Sequence, residues 1–303
     1  MSRLVRQSFL GPHSDAVLAA TTIGFVGLGG GGSHYAQQAA HIGIGRYVLV
    51  DPDHIDLGNT NRLIGGTLTD VARKEAKTAI AARIIRGLNP SACIIEIGKS
   101  WHDATNALKT CDVIMGAVDS FAEREQLERF ARRYLIPYID VGMDVHEVGK
   151  GEFLIAGQVI LSTPGNPCLR CCGFITDERL TQEAELYGSA GGRPQVVWPN
   201  GVLGSTAMGL AMQIITPWHG KTPSFSYLIY DGNKGTMTQS RRTAVLAGQI
   251  CPHHPADETG DPLFDIRAFL QKTTSAATAS PTLWHRLRLA ATLVKNRIKE
   301  LWS

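Results

Sequence analysis

The sequence predicts an α/β protein with a twisted, mostly parallel sheet, helices on both faces of that sheet, and an antiparallel C-terminal extension. Apolar strand segments alternate with helical segments from about residue 22 to 143, which is typical of parallel sheets. In RYVLV (46–50) the apolar residues are consecutive rather than alternating, as in a strand buried on both faces. From about residue 150 the helices give way to segments that look like antiparallel strands.

The elements of the parallel part follow one another closely along the chain. TIGFVGL is the first strand, and a glycine loop leads from it into the helix HYAQQAAHIG and the strand RYVLV. A helix is predicted over about 70–88, because its apolar residues recur at helical spacing and Asn89-Pro90 ends it. CIIEIG, CDVIMGAVD and PYIDVGM are further strands, and the charged helix AEREQLERFARRYL precedes the last of them. This Rossmann-like order places ligands at the carboxyl ends of the strands.

The second part has a different pattern. GEFLIAGQVILST is predicted as antiparallel strand, and a loop that begins at PGNPCLRCCG runs to about residue 195. GVLGSTAMGLAMQII follows as an apolar helix, and a hairpin turns at Asp231-Gly232-Asn233. Small residues predict a linker over 271–282. Residues 283–303 form a basic amphipathic helix, for which docking on the protein is favoured over binding a membrane or a partner.

Composition and charge exclude several classes of protein. The 303 residues include 30 Lys and Arg and 27 Asp and Glu. The resulting net charge of +3 is too small to indicate a surface that binds nucleic acid. No uninterrupted apolar run reaches the roughly 18 residues of a membrane span. Basic residues at the N-terminus are not followed by the apolar core of a signal peptide. We therefore expect a soluble cytoplasmic protein with reduced thiols.

A glycine-rich loop, GLGGGGS (27–33), separates the first strand from its helix. Glycine lets the backbone approach a phosphate, and a helix N-terminus offers unpaired N–H groups. Asp51 ends the second strand 19 residues after Gly32, where a carboxylate can accept hydrogen bonds from ribose hydroxyls. A nucleotide site is therefore favoured over a purely structural turn. The loop residues predicted to contribute are Gly27, Gly29, Gly30, Gly32 and Ser33.

Four polar residues favour ATP over a dinucleotide: Asn59, Arg62, Lys77 and Asp119. Cationic side chains neutralise phosphoryl charge in a transition state, and a carboxylate at a strand end can hold Mg²⁺. Each residue also has an ordinary explanation. Arg62 could be a solvated loop charge, Lys77 an exposed helix residue, and Asp119 a helix cap. Their combination predicts ATP and Mg²⁺, with an NAD-dependent oxidoreductase as the competing class.

Over residues 3–255 these motifs resemble those of the ubiquitin-activating-enzyme-like superfamily of adenylating enzymes, the ThiF/MoeB/HesA group. GLGGGGS is similar to the nucleotide loop of that family. VDPDHIDLGNTNR is similar to its D-x-D…N-x-x-R segment, which implies that Asp51 and Asp53 lie near the ribose and that Asn59 and Arg62 contact the phosphates.

Three further segments carry the resemblance. The helix before Asn89-Pro90 is similar to the lysine helix of the family and implies a phosphate-binding role for Lys77, with Lys74 as the second candidate because the preceding loop is longer than usual. GAVDSFAER implies that Asp119 binds Mg²⁺. Arg6-Gln7 is similar to an N-terminal pair whose arginine reaches the ATP site of the partner subunit. Without the resemblance, Arg6 would be interpreted as an exposed terminal charge.

The resemblance implies chemistry at the C-terminus of another protein. Family members adenylate the terminal carboxylate of a ubiquitin-like protein that ends in Gly-Gly and release pyrophosphate. Sharing Arg6 would make a homodimer obligatory. Two fates follow: transfer to a conjugating enzyme, with a thioester as one route, or sulfur loading for cofactor synthesis of the thiamine or molybdopterin kind. A bacterial conjugation pathway is slightly favoured. A third hypothesis is a nonenzymatic dimeric partner that keeps the fold. The presence of Asp51, Arg62, Lys77 and Asp119 argues against it.

Two pairs of residues predict a structural zinc site. Cys168-x-x-Cys171 and Cys251-x-x-His254 have the pairwise spacing of a tetrahedral site. His254 is favoured over His253 by that spacing, although cysteine is usual at this position in the family. We expect the metal to join the loop after Pro167 to the C-terminal strands, with no catalytic role.

Thioester chemistry needs an accessible thiol with a lowered pKa. QVVWPNGVLG lacks the cysteine that many relatives have there, which leaves Cys172 as the uncommitted thiol near it. A spare thiol beside the zinc is the alternative for Cys172. Cys93 and Cys111 lie in or beside predicted strands and are expected to be buried.

We expect residues 1–270 to form an adenylation domain with two halves. The nucleotide-binding half covers 20–145, and the half that binds the carrier protein and zinc covers 146–270. The linker over 271–282 and the helix over 283–303 follow.

Overall fold

The computed structural model describes residues 3–185, 194–255 and 258–260. The α-helices of these residues are α1 (Ser14–Ala20), α2 (Gly30–Ile42), α3 (Leu68–Arg73), α4 (Lys77–Leu88), α5 (Thr105–Leu108), α6 (Phe121–Arg133), α7 (Asp177–Glu185), α8 (Val197–Ile215) and α9 (Arg241–Leu246). The strands are β1 (Thr22–Val26), β2 (Arg46–Val50), β3 (Cys93–Ile97), β4 (Val113–Gly116), β5 (Tyr138–Gly149), β6 (Glu152–Ser162), β7 (Ser226–Asp231) and β8 (Thr236–Gln239).

These strands form one sheet in the order β3-β2-β1-β4-β5-β6-β7-β8. β1 to β5 are parallel to one another, and β5 to β8 are antiparallel. The order in which the chain adds strands reverses between β1 and β4, which opens a crevice at their carboxyl ends. The predicted Rossmann-like sheet with an antiparallel extension is confirmed.

The sheet is buried on both faces because consecutive residues of its strands point to opposite sides. Tyr47 and Leu49 belong to one apolar cluster, to which α2, α4 and α8 contribute. Val48 and Val50 belong to a second cluster with α5 and α6. The run of consecutive apolar residues in β2 therefore reflects helices on both faces, as predicted.

Three local predictions need correction. The helix expected over 70–88 is two helices, because Lys74 adopts a left-handed φ of 50° and ends α3 before α4 begins at Lys77. The loop expected to run to about 195 contains α7. Cys93, expected to be buried, is exposed because β3 is the edge strand of the sheet.

The predicted boundary between the two halves, at 145/146, falls inside β5, so both halves share one continuous sheet. The predicted linker (271–282) and terminal helix (283–303) lie outside the described residues. Among the helices that the structure describes, none combines the length and the apolarity needed to cross a bilayer.

Candidate nucleotide site and Cys/His cluster

A polar pocket occupies the crevice between β1 and β4. It is bounded by the loop after β1, the segments that follow β2 and β4, the interior of β5 over 141–143, and the first turns of α4, α6 and α8. Its lining residues are Gly27, Gly29, Gly30, Gly31, Asp51, Pro52, Asp53, Asn59, Arg62, Leu63, Lys77, Ala117, Val118, Asp119, Glu123, Arg124, Val141, Gly142, Met143, Gln195 and Asn200. The structure therefore brings together most of the nucleotide-binding residues that the sequence predicted.

Backbone crowding explains two glycines of the loop. Gly27 has a φ of 85°, and a side chain there would meet the carbonyl oxygen of Ala117 at 2.6 Å. A Cβ on Gly32 would collide with the carbonyl of Gly27. The glycines thus let the chain turn from β1 into α2, whose N-terminal N–H groups and positive dipole end face the pocket.

Gly32 and Ser33 were predicted to bind the nucleotide, but neither lines the pocket. The Ser33 side chain is buried, and its hydroxyl donates to the carbonyl of Gly30 and accepts from the N–H of Ile64. Ser33 therefore joins the glycine loop to the loop that carries Asn59 and Arg62.

The two predicted ribose acids have different environments. The carboxylate of Asp51 is buried and accepts hydrogen bonds from the N–H groups of Leu28 (2.6 Å) and Asp53 (2.8 Å). Burial raises the pKa of Asp51, and the nearby charge of Lys77 opposes that shift. The Asp53 side chain is 63% exposed and pairs with Lys77 at 2.7 Å. Asp53 is therefore the acid available to a ligand, while Asp51 secures the glycine loop.

Lys77 is the lysine that the fold delivers to the pocket, whereas Lys74 is exposed at the end of α3. The extra length of the preceding loop is taken up by the left-handed Lys74 and by an isolated antiparallel bridge between His54 and Ala76. Lys77 Nζ lies 2.7 Å from Asp53 and 3.8 Å from Asp51.

Asn59 and Arg62 lie in the long segment between β2 and α3, where Asn59 ends a 3₁₀ turn (Leu57–Asn59). Asn59 and Asp56 cap each other, with the Asn59 amide oxygen accepting from the N–H of Asp56. The Arg62 guanidinium donates to the carbonyl of Gly58 and to the side chain of Asn61. Both residues line the pocket.

Asp119 and Glu123 bring two carboxylates to the pocket from the start of α6. Asp119 is exposed and directly precedes Ser120, the N-cap of α6. Burial raises the pKa of Glu123, and the charges of Asp119 and Glu183 add to that shift while His102 opposes it. Clustered carboxylates of this kind suit Mg²⁺ with bound phosphate.

Arg124 is a pocket residue that the motif analysis missed. Its guanidinium donates to Asp140 at 2.7 Å and to the carbonyl of Val141, and Tyr138 donates to the other oxygen of Asp140. All three side chains are buried, and burial raises the pKa of Asp140 against the effect of Arg124. The segment GAVDSFAER already contains Arg124, so its spacing from Asp119 could have revealed it.

Gln195 and Asn200 were also missed, and no local sequence signal marks them. Asn200 lies in the first turn of α8 and packs on the glycine loop, so that a Cβ on Gly30 would come within 2.5 Å of its amide nitrogen. The Asn200 amide also donates to the carbonyl of Val196. Only the fold brings this residue to the pocket.

A groove adjoins the pocket and shares three lining residues with it, namely Asn59, Arg62 and Gln195. Its walls come from β5, β6 and the start of α8. Two aromatic side chains on these walls are well exposed, Phe153 at 51% and Trp198 at 58%. The groove therefore offers apolar surface that leads to the nucleotide pocket.

A second cluster joins the loop after β6 to the loop after α9. The Sγ atoms of Cys168 and Cys171 are 3.6 Å apart, those of Cys171 and Cys251 are 3.7 Å apart, and His253 Nδ1 lies 3.4 Å from Cys168 and from Cys171. Four donors around Zn²⁺ at Zn–S distances of about 2.3 Å would be about 3.8 Å apart. The donor atoms are thus spaced as a tetrahedral zinc site requires.

The structure corrects the fourth residue of this cluster. His253, not the predicted His254, completes the group with the three cysteines. His254 belongs to a second group with Cys168 and Glu128, whose ligand atoms lie within 4.8 Å of one another, and its Nε2 is 3.8 Å from the buried carboxylate of Glu128 on α6. The two-residue spacing rule failed because the loop turns within CPHH.

The cluster is attached to α6 by buried polar contacts. Glu128 accepts from the N–H of Leu169 and from the Ser162 hydroxyl, and Arg132 donates to the carbonyls of Asn166 and Pro167. Since α6 also begins at the nucleotide pocket, one helix connects the two sites.

Cys172 does not have the properties of the predicted nucleophile. It lies outside the pocket, packs in an apolar cluster and is 2% exposed. Burial, with the charge of Glu128, raises its pKa to about 12. This buried thiol is the spare cysteine beside the cluster.

Arg6 is exposed on a 3₁₀ turn (Val5–Leu10) at the other end of α2. The neighbouring Arg3 and Gln7 donate to backbone carbonyls of Ala40, His41 and Ile42 there. The 13 residues of α2 separate that end from the glycine loop by about 20 Å. Arg6 is therefore not part of the pocket of its own chain.

The fold and the pocket define an α/β protein with a Rossmann-like sheet and a polar pocket at the carboxyl ends of its parallel strands. The chain belongs to the ThiF family, whose family model matches residues 1–251. The family resemblance carried by the motifs is confirmed.

Named relatives cover parts of the chain. It is 28% identical over 172 residues to the SAMP-activating enzyme E1 of Haloferax volcanii, covering 56% of this chain and 60% of that protein. It is 30% identical over 250 residues to the adenylyltransferase and sulfurtransferase MOCS3 of Drosophila willistoni, covering 80% of this chain and 51% of that protein. The chain thus spans about half to three fifths of the length of these relatives.

A solved structure shares the fold. The crystal structure of E. coli MccB with ATP matches with a TM-score of 0.64 and 20% identity, covering 79% of this chain and 71% of that one.

Proposed function

We propose that this chain uses Mg²⁺ and ATP to adenylate the C-terminal carboxylate of a small ubiquitin-like or sulfur-carrier protein. One observation carries the proposal: the pocket unites a glycine loop, three cationic side chains and four carboxylates, and a groove leads into it. A dinucleotide enzyme has no need for this concentration of charge. The named relatives, an activating enzyme and an adenylyltransferase, support the same chemistry.

The side chains act by position and charge. The carboxylate of the carrier protein attacks the α-phosphorus of ATP, so a C–O–P bond forms while the bond between the α-phosphorus and the bridging oxygen breaks. Pyrophosphate leaves with that electron pair. Lys77, Arg62 and the N-terminus of α2 stabilise the charge that develops on the phosphates, and Asp119 holds Mg²⁺. Asp53 is placed to bind the ribose once Lys77 turns to the phosphates.

The groove suits the tail of the carrier protein. It opens onto the pocket beside Asn59, Arg62 and Gln195, so a tail lying in it would present its terminal carboxylate there. Trp198 and Phe153 offer apolar contact to residues farther from the terminus. A terminal Gly-Gly would fit beside the crowded glycine loop because it has no side chains.

A homodimer that shares Arg6 is the second part of the proposal. Arg6 is exposed and far from the pocket of its own chain, which is what a residue acting on a partner subunit requires. We expect Arg6→Ala to abolish adenylation while the dimer persists.

Mixing variants tests this sharing directly. In an equimolar exchange of Arg6→Ala with Asp119→Ala chains, half of the dimers are mixed, and each mixed dimer regains one intact site. About one quarter of wild-type activity should return. A mixture as inactive as its components, with subunit exchange demonstrated, would reject action in trans.

We also propose that Cys168, Cys171, Cys251 and His253 hold Zn²⁺. The tetrahedral donor spacing and the three thiols fit this ion. When bound, zinc supplies a cross-link between the loops after β6 and α9, with no position left open for catalysis. Elemental analysis should find about one zinc per chain.

The experiment that tests adenylation is intact mass spectrometry of the purified protein with Mg²⁺-ATP and candidate carriers ending in Gly-Gly, alongside ATP–pyrophosphate exchange. A carrier heavier by one AMP, with exchange that depends on the carrier, supports the proposal. The acceptor that then consumes the adenylate distinguishes the two pathways: a conjugating enzyme indicates conjugation, and a sulfur donor indicates sulfur transfer. ATP binding without exchange would favour a nonenzymatic partner. Tight binding of a nicotinamide cofactor without Mg²⁺ would replace the proposal with an oxidoreductase.

A further inference from the structure

A carboxylate from α7 occupies the N-terminus of α6. Glu183 Oε1 accepts from the N–H of Phe121 at 2.9 Å. Glu183 Oε2 accepts from the Ser120 hydroxyl at 2.9 Å and from the N–H of Ala122 at 3.0 Å. One side chain thus satisfies two backbone donors that the start of a helix leaves unpaired, together with the N-cap hydroxyl.

Apolar packing contributes little to this contact, because Leu180 of α7 is only partly buried against the apolar cluster that contains Phe174. None of the residues Asp177–Glu185 is buried. At the start of α7, Asp177 pairs with Arg170 at 2.7 Å. Two attachments hold α7 to α6, Glu183 and Arg179. The Arg179 guanidinium lies 5.5 Å from the ring of Phe121 and 5.7 Å from that of Phe174 and donates to the carbonyl of Phe174. Both attachments converge on the first turn of α6.

That turn is part of the proposed active site. Asp119 precedes the N-cap Ser120, and both Asp119 and Glu123 line the pocket. The start of a 13-residue helix is a favourable place for an anion. Because the Glu183 carboxylate occupies the N-terminus of α6, the phosphates would bind at the N-terminus of α2. Asp119 would then bind the cation.

We propose that Glu183 is a positioning residue for the Mg²⁺-ATP site. It fixes the Asp119–Ser120 turn through the N-terminal donors of α6, keeps phosphate from binding at those donors, and adds a third negative charge beside the cation site. This proposal rests on the proposed function for the role of Asp119. It assigns Glu183 no contact with the substrate.

The test is the free Mg²⁺ concentration that gives half-maximal binding of a fluorescent ATP analogue, measured without any carrier protein. Glu183→Ala should raise this concentration at least tenfold, since it removes both the cap and the charge. Glu183→Gln keeps the shape but turns one amide N–H toward backbone donors, so an intermediate increase is expected. Glu185→Ala, an exposed acid on the same helix, is the matched control and should behave as wild type.

Chemical rescue separates positioning from a general loss of structure. Acetate should restore Mg²⁺-dependent binding to Glu183→Ala, because a free carboxylate can enter the vacated N-terminus of α6, and it should not affect wild type or Glu185→Ala. An unchanged Mg²⁺ requirement in Glu183→Ala would overturn the proposal, as would a raised requirement that acetate leaves unaltered in a variant that melts like wild type.

The readout also separates this proposal from the proposed function. If wild type binds Mg²⁺-ATP but adenylates no carrier, the proposed function fails while the Mg²⁺ titration still decides the role of Glu183. If wild type binds the analogue equally well with and without Mg²⁺, the proposal for Glu183 fails, while the adduct and exchange measurements still decide the proposed function.

Discussion

The parallel and antiparallel halves of the sheet build their functional groups in opposite ways. Around the pocket, Asp51, Asp53 and Asp119 closely follow the carboxyl ends of β2 and β4, so sheet geometry brings these carboxylates together. In the Cys/His cluster, Cys171 and Cys251 are 80 residues apart and meet between two loops. The difference teaches that side chains of the pocket are supported by a scaffold, whereas those of the cluster are themselves part of the support.

The largest expected effect is a loss of catalysis, with the fold intact, when Asp119 is replaced. Asp119→Ala should lower carrier-dependent ATP–pyrophosphate exchange by about 10²–10³-fold, because charge stabilisation at the phosphates is lost. The melting temperature should not change, since Asp119 is exposed.

Asp103→Ala is the control, because Asp103 is exposed and lies outside the pocket. Exchange that survives in Asp119→Ala would contradict the assigned role, and a large loss of thermal stability would contradict the contrast between the two halves.

The second effect breaks the fold and should be measured as stability. Cys168→Ser, or removal of metal by a strong chelator, should cost about 4 kcal/mol, as expected when a structural metal is lost. For a domain of this size that corresponds to a fall in melting temperature of roughly 8–16 °C. Cys93→Ser is the matched control, since this exposed cysteine lies outside the cluster. Equal melting curves for the two serine variants would show that the cluster does not stabilise the protein.

The third prediction sharpens the ligand assignment within CPHH. His253→Ala should reduce the zinc content per chain, because the Nδ1 atom of His253 faces the thiols. His254→Ala should retain zinc and lose only its contact with Glu128, at a cost of about 1 kcal/mol. Zinc lost from His254→Ala and kept by His253→Ala would restore the assignment made from spacing.

The same contrast decides what could be predicted from the sequence. The mostly parallel sheet with its antiparallel extension was predictable from the pattern of apolar segments. So was the grouping of Asn59, Arg62, Lys77 and Asp119 in one pocket, because each lies in a short motif. Three cysteines of the cluster were also found from spacing. His253 was not, because the direction of a side chain in a loop depends on its local turn rather than on residue spacing.

Residues that act across long distances in sequence could not be predicted. Asn200 and Glu183 reach the pocket region only because α8 packs on α2 and α7 lies beside α6. Nothing within either segment distinguishes these side chains from ordinary surface residues. Burial was likewise misjudged for Cys93, since the sequence does not say which strand forms the edge of a sheet.

The smallest expected effect concerns an ion pair in the parallel half. Asp70 is buried and pairs with Arg83 at 2.7 Å, and hydrogen bonds from Arg83 lower the pKa of Asp70. A lowered pKa in the folded state stabilises the protein above the unfolded value of about 3.9, and this contribution is lost as the pH falls below it.

Asp70→Asn should therefore lower the free energy of unfolding at pH 7 by no more than about 1 kcal/mol, because the side chain of Arg83 is 50% exposed to solvent. The difference from wild type, measured by urea unfolding, should shrink between pH 5 and pH 3. A difference that is constant over this range would mean that the Asp70 side chain acts through the hydrogen bonds that it accepts from the N–H and the hydroxyl of Thr67 at the start of α3, and not through its ion pair with Arg83.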